Sequence, residues 1–486
     1  MLKSYCLYCI LIITALFPIN LLQAAKVSCI SQYGITWYFE KPVEVGQYVN
    51  GDWWVVGPVK VIKVTPVPGS VSVDSTKITV NHWNDTSLSK DTTMRNGSMI
   101  VVKSGEYHGY DSRNQLFRQS ECVSVPLVLS PNQSLISTES NTNIPVANFC
   151  KEYTSSKEQT VKTVLKSAAV LTCVSEIQSK DAFRPPYAGV LKPVFLARNI
   201  DWAKLPKLKP VGSIPSWGLF EHYFQRPWID HILSWQQQEI VPNENEPNYG
   251  REQARLVSIA GLMLMLDVPQ KQKEKLTIEL IQRGIDLYGL AMAGTYWNEG
   301  GGHSSGRKWP ILFASIMLKN PTIAQLPESA FFQEDTQTYY GKGWFGQTVL
   351  WQMIQHHGIR DTYEEKNPAT WGKWDGVSEG YRLNTTGSAW IGTALVARYM
   401  NAVLLWGHDA FFDYTDRWMQ PDNPNLKAKE NYVRPIQEGK AFDLFVTEMW
   451  KAYRANAPAQ PKSGHNLKWI WQGKIGVMVP NKLPEQ

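Results

Sequence analysis

Hydrophobic positions along this chain follow two different periods, and the change falls near its middle. Over residues 27–129 the apolar residues come in short β-branched runs, among them 59–64, 70–73, 78–80 and 99–102. Pro66, Pro68, Gly69 and the turn sequences Asn50-Gly51-Asp52 and Arg95-Asn96-Gly97 punctuate them. Short, partly alternating runs bounded by turn residues predict strands, and several at this spacing predict an antiparallel sandwich. Residues 123–129 read as a strand that closes it at an edge, because Pro126 has no N–H for a ladder. Residues 160–174 also read as strand. Residues 130–148, rich in Ser, Asn and Thr, read as a connector.

After Ser216 the period becomes helical. Leu256, Ile259, Ala260, Met263 and Leu264 form one stripe over 252–266, and Leu276, Leu280, Ile281, Ile285, Leu287 and Leu290 form another over 273–293. The same spacing predicts helices over 219–238, 309–318, 387–406, 409–419 and 442–455, followed by terminal strands over 467–479. Long loops at 297–308 and 339–384 are rich in glycine and tryptophan. Loops of this length in a compact domain are usually functional or disordered, and these are too aromatic for disorder, so they are expected to line a cleft. The expected fold class is multidomain α+β: an N-terminal antiparallel β-sandwich-like region followed by an α/α-toroid-like helical domain.

Residues 1–25 read as a secretory signal, with Lys3, an apolar stretch over 9–16 and small residues before Lys26. Pro18 and Asn20 interrupt the stretch, which falls short of a membrane span. The expected segments are therefore 1–25 signal peptide, 26–190 β-rich domain, 191–215 proline-rich linker, 216–460 helical domain and 461–486 C-terminal strands. The mature protein is expected to be exported, periplasmic or extracellular, without stable membrane insertion.

Composition sharpens this division. The chain has 486 residues and 20 tryptophans, four before residue 200 and sixteen after it, whereas all six cysteines precede residue 174. Export suggests disulfides among Cys29, Cys122, Cys150 and Cys173. Four cysteines allow three connectivities, of which Cys29–Cys122 with Cys150–Cys173 would close one β-rich unit each. Only 19% of residues are charged and the net charge is +6, without a basic face, which argues against nucleic acid as the partner.

The reactive residues concentrate in the helical half. Tyr296-Trp297-Asn298-Glu299-Gly300-Gly301-Gly302-His303 leads through Arg307 into a helix. It brings a phenol, an amide, a carboxylate, an imidazole and a guanidinium onto a backbone that three glycines leave unusually free. His303 beside a carboxylate suits acid/base chemistry. Glu299 and His303 have i, i+4 spacing, but the glycines between them disfavour a helix, so no metal site and no cofactor are expected. A second group holds Trp371, Trp374, Asp375, Glu379, Tyr381 and Arg382, with flat indole faces suited to sugar rings. Tyr249 and Arg251, in a polar turn entering a helix, complete the candidate cleft.

With Asn298, His303, Arg307 and Tyr381 set in aromatic loops, the helical half (residues 216–455) resembles the alginate lyase and heparinase II/III-like group of exported α/α-toroid enzymes. Those enzymes usually carry their β-sandwich after the toroid, and the compact Asn-His motif is here spread over 298–303. The resemblance implies a polysaccharide or oligosaccharide partner and β-elimination at a uronate. Asn298 and Arg307 would neutralise the carboxylate, His303 would take the C5 proton, and Tyr381 or Tyr296 would protonate the leaving oxygen. Two alternatives remain: hydrolysis by Glu299 with Asp375 or Glu379, since glycosidases flank the scissile bond with two carboxyl groups, and non-catalytic glycan binding by the same tryptophans.

Overall fold

The computed structural model describes residues 25–70, 94–144, 146–147, 160–248, 250–298, 301–356, 359–421, 439–472 and 475–482. The expected signal peptide, Cys150, Tyr249 and Glu299 lie outside them, apart from Ala25 at the signal's end.

The N-terminal half forms one curled eight-stranded sheet rather than two facing sheets. Its strands are β1 (Ala25–Gln32), β2 (Ile35–Gln47), β3 (Trp53–Val56), β4 (Val59–Thr65), β5 (Ser98–Ile100), β6 (Leu127–Leu129), β7 (Ser134–Ser140) and β8 (Leu165–Val174). The order is β5-β7-β8-β3-β2-β4-β6, with β1 also paired to β2. All pairs are antiparallel except β8 with β3, so the expected purely antiparallel sheet carries one parallel pair. β6 is an edge strand directly after Pro126.

β8 explains how the two halves meet. Nearly every residue in it is buried, which a strand covered on both faces requires. Alternation sends Ala169, Leu171 and Cys173 into a core with Ile35, Trp37, Val55 and Val61 of the sheet. Ala168 and Val170 point the other way, into the large core built mainly by the helices. The segment expected as a connector within the β-rich domain, 130–148, instead supplies β7. Its polar residues are buried but bonded: Trp37 Nε1 donates to Ser137 Oγ at 3.0 Å, and Ser98 Oγ lies 2.7 Å from the same oxygen. The proline-rich segment is no free tether either, since Leu208 exchanges backbone bonds with Met265 and Asp267.

The helical region contains α1 (Trp217–Phe224), α2 (Gly250–Leu264), α3 (Gln270–Met292), α4 (Lys308–Met317), α5 (Gln333–Gln337), α6 (Lys373–Tyr381), α7 (Gly387–Tyr399), α8 (Val403–Trp406), α9 (Asp409–Trp418) and α10 (Leu444–Tyr453). α2 is buried almost all round, which marks it as central. It packs on α7, where Gly392 leaves room for Ser258 and the Ser258 hydroxyl donates to Ala389 O at 3.0 Å. The helix expected over 219–238 stops at Phe224. Among the described residues no helix is long and apolar enough to cross a membrane.

The disulfide expectation is corrected. Cys29, Cys122 and Cys173 are free thiols. Cys29 pairs with Tyr38 between β1 and β2, whereas the segment carrying Cys122 bonds back to Ser98 of β5. Cys173 is buried in the sheet core and donates to Leu129 O at 3.3 Å, and burial pushes its thiol up to about 12.

Candidate functional site

The glycine-rich loop before α4 is held from several sides. At its start Trp297 donates its backbone N–H to Phe331 O at 2.7 Å and stacks on Phe332 with ring centroids 5.5 Å apart. Gly301, Gly302 and Gly306 have φ of 71°, 89° and 88°, a region open chiefly to glycine. The side chains of α5 then capture the loop backbone: Gln333 Oε1 accepts from Ser304 N at 2.9 Å and Glu334 Oε1 from Gly306 N at 2.7 Å. Contact with α2 is close enough that a Cβ on Gly250 would run into the His303 carbonyl, and one on Gly306 would meet the Ala254 backbone.

Arg307 does not face solvent. It is buried, with Nη2 on Asp230 Oδ1 at 2.9 Å and Nη1 on the carbonyls of His303 (3.0 Å) and Ser305 (2.6 Å). Asp230 is a hub that sequence reading missed. It also pairs with Arg283 and accepts from Gln237 Nε2 at 2.7 Å. Burial alone would raise its carboxyl, but Arg307 and Arg283 together hold it well below the usual carboxylate range. Neighbouring His231 is buried between the edges of Tyr110 and Tyr187, and burial depresses it to about 3, so the ring stays neutral. One signal was present: Asp230-His231 is a polar pair inside the apolar sequence Trp228-Ile229 to Ile232-Leu233.

The second group divides into a buried and an accessible part. Arg382 is buried and grips Glu379 in a bidentate pair at 2.8 and 2.7 Å, while Tyr363 donates to the same carboxylate at 2.6 Å. Asp375 accepts from Gly372 N at 2.8 Å at the start of α6 and pairs with Lys366 at 2.9 Å. Trp371 packs edge-on against Tyr363 at 5.0 Å. Trp374 and Tyr296 remain 44% and 40% exposed, enough to offer a ring face to a ligand. After Tyr381 the chain makes a π-helical turn, Arg382–Thr386, a rare geometry that often accompanies function.

These segments meet at the first turn of α2. His303 lies against Gly250, and the next residue, Arg251, reaches over to donate to Asn384 O at 3.0 Å in the π-turn. Arg251 also lies 2.7 Å from Glu252 Oε1 and stacks over Phe442. Asn298, His303, Arg251 and Tyr381 are all half-buried. Thus His303, Arg251 and the Asn384 carbonyl of the π-turn are drawn toward one helix end, while Arg307, Glu379, Arg382 and Trp297 are packed inside as supports. Among the described residues no three His, Cys, Asp or Glu side chains gather where a metal could be held.

Glu334 adds a titratable support. Burial pushes its carboxyl up to about 7, although the Gly306 N–H works against this. A raised carboxyl stabilises the fold fully below its unfolded pKa of about 4.3 and loses that contribution as pH rises through 7. Glu334→Gln keeps the acceptor for Gly306 but removes the ionisation. Its melting temperature should exceed wild type at pH 8 and match it at pH 4. Equal differences at both values would remove the buried ionisation from the account.

No protein-family model matches the chain, and neither a curated protein nor a solved structure matches it.

Proposed function

We propose that this is an exported carbohydrate-active enzyme that cleaves a uronate-containing polysaccharide by β-elimination, with its helical region closing as an α/α toroid around the cleft. The observation that carries the reading is the convergence of the His303 loop, Arg251 and the π-turn after Tyr381 at the start of α2. In this reading Asn298 and Arg251 meet the uronate carboxylate, and their positive and amide N–H groups lower the acidity barrier at C5. His303 takes the C5 proton. Tyr381, or the more exposed Tyr296, protonates the leaving oxygen. Arg307 is a positioning residue: it fixes the His303 carbonyl through its own bonds to Asp230. Trp374 offers a flat face to a neighbouring sugar.

The hydrolytic alternative is weaker, since Glu379 is held by Arg382 and Tyr363, and Asp375 anchors α6. Incubating the purified protein with uronate polymers should produce the ultraviolet absorbance of an unsaturated uronate. His303→Ala and Tyr381→Phe should each slow this by about 10²–10⁴-fold without lowering the melting temperature. New reducing ends without the absorbance would replace elimination by hydrolysis. Binding without any product would make the protein a glycan-binding module.

A further inference from the structure

The indoles of this chain are nearly all covered, and the exceptions fall on one stretch. Among the described tryptophans only Trp344 and Trp374 are exposed, by 53% and 44%. An exposed indole forgoes one of the largest gains that burial offers a side chain, so two that flank one turn point to something that covers them. Both are presented by fixed backbone. Trp344 stands on a tight turn in which Gly343 N donates to Gln347 O at 2.8 Å and Gly346 N to Gly343 O at 2.9 Å. Its own N–H donates to Glu364 O at 2.9 Å, in the short 3-10 turn Tyr363–Glu365. The neighbours of Trp374 are tied to the same place: Trp371 meets Tyr363 edge-on, and Asp375 pairs with Lys366, the residue that follows the turn.

The charge around the two indoles has a sign. Lys342, Lys366 and Lys373 are exposed beside them. The nearby acids are already engaged. Glu364 is buried against Arg417 and Arg382. Glu365 accepts from Tyr339 at 2.9 Å and pairs with Lys468 at 3.3 Å, and Asp375 holds the start of α6 as well as Lys366. The balance is therefore positive, carried by Lys342 and Lys373. Lys373 opens α6, where the helix end adds partial positive charge of its own. Its ammonium stands 5.2 Å from the centre of the Trp374 ring. A ring face beside an ammonium suits a sugar that bears a carboxylate: the apolar face of the sugar covers the indole and the carboxylate meets the lysine. Position along α6 sets the reach. Tyr381 is seven residues beyond Trp374, close to two helical turns, so the two lie on one flank of the helix about 10 Å apart along its axis. One sugar ring does not span that length, and a chain does.

We propose that Trp344 and Trp374, with Lys342 and Lys373, form a distal contact surface for an acidic polysaccharide, which grips the chain beyond the reacting unit and makes the protein select polymers over short oligomers. The proposal rests on the uronate-polymer reading for its ligand and adds chain-length selection to it. Affinity electrophoresis of the full chain tests it, in gels containing alginate, polygalacturonate or hyaluronate, with dextran as the neutral comparison. Running His303→Ala beside wild type keeps cleavage of the gel polymer from obscuring binding. At least one uronate polymer should retard both proteins, and dextran should retard neither. With that polymer, Trp344→Ala and Trp374→Ala should each weaken binding about tenfold, the scale of loss of an interfacial tryptophan, at unchanged melting temperature. Replacing Lys342 and Lys373 together by Gln should weaken it too and flatten its dependence on salt. Where product forms, the tryptophan variants should lose more activity on the polymer than on a trisaccharide. No retardation by any uronate polymer, equal retardation by dextran, or wild-type binding by both tryptophan variants would overturn the proposal. Product formed while both variants bind as wild type would remove this surface and keep the elimination reading. Binding that both variants weaken, with no product from any polymer, would support this surface and remove the elimination reading.

Discussion

Asp230→Ala is expected to lower the unfolding free energy by about 3–5 kcal/mol at pH 7, the range found when one partner of a buried ion pair is removed. The size follows from what is left behind. Asp230 is fully buried and neutralises two guanidiniums, those of Arg307 and Arg283. Without it, two positive charges remain inside without the carboxylate that pairs with both. The pH dependence has a fixed sign. Because Arg307 and Arg283 hold the folded carboxyl below its ordinary value against the effect of burial, its stabilisation is present above the unfolded pKa of about 3.9. That stabilisation is lost only as pH falls through the lower folded value. Urea unfolding at pH 7 measures the deficit, and a midpoint equal to wild type would show that Asp230 is not the hub. Because Arg307 also holds the His303 carbonyl, the uronate-polymer cleavage proposed above should fall in this variant even at temperatures where it remains folded.

Arg184→Met is expected to be about as damaging, again about 3–5 kcal/mol at pH 7, for a different reason. Arg184 joins Asp52, ahead of β3, to Asp286 of α3, so one side chain ties the sheet to the helices. Removing it leaves two buried carboxylates close together. Burial already raises Asp52, and Arg184 is the chief influence opposing it. Without the arginine the folded Asp52 carboxyl moves further up, so the variant keeps its stability in acid and loses it as pH rises. The deficit relative to wild type, read by thermal unfolding, should therefore be large at pH 7 and distinctly smaller near pH 5. An equal deficit at both values would mean that lost packing, rather than unpaired charge, sets the effect.

Legibility in the sequence was uneven, and each case has a physical cause. α2 and α3 were readable because a stripe of apolar residues repeats at helical spacing. The strands at 59–64 and 165–174 were readable from β-branched runs. β7 was missed because its inward residues are Ser and Thr, whose burial is tolerated only through Trp37, Ser98 and Thr172, residues far away in sequence. α6 was missed because glycines and tryptophans masked its period and its capping rests on Asp375. Among the candidate site residues, type and clustering were visible, but accessibility was not. Arg307 and Arg382 look as reactive in the sequence as Arg251, and only their partners separate them. Asp230, Glu334 and Gln333 went unread because their roles come from what they touch.

The sequence by itself determined the two-part build, most of the helices, and the glycines that let residues 301–306 turn beside α2. Those depend on local backbone freedom and on the period of apolar residues, which are properties of neighbours along the chain. Tertiary structure alone decided that Cys29, Cys122 and Cys173 stay free thiols, that β8 belongs to two cores at once, and which charged groups are supports and which remain accessible. Charge pairing and desolvation are set by distance in space, and no spacing along the chain encodes them.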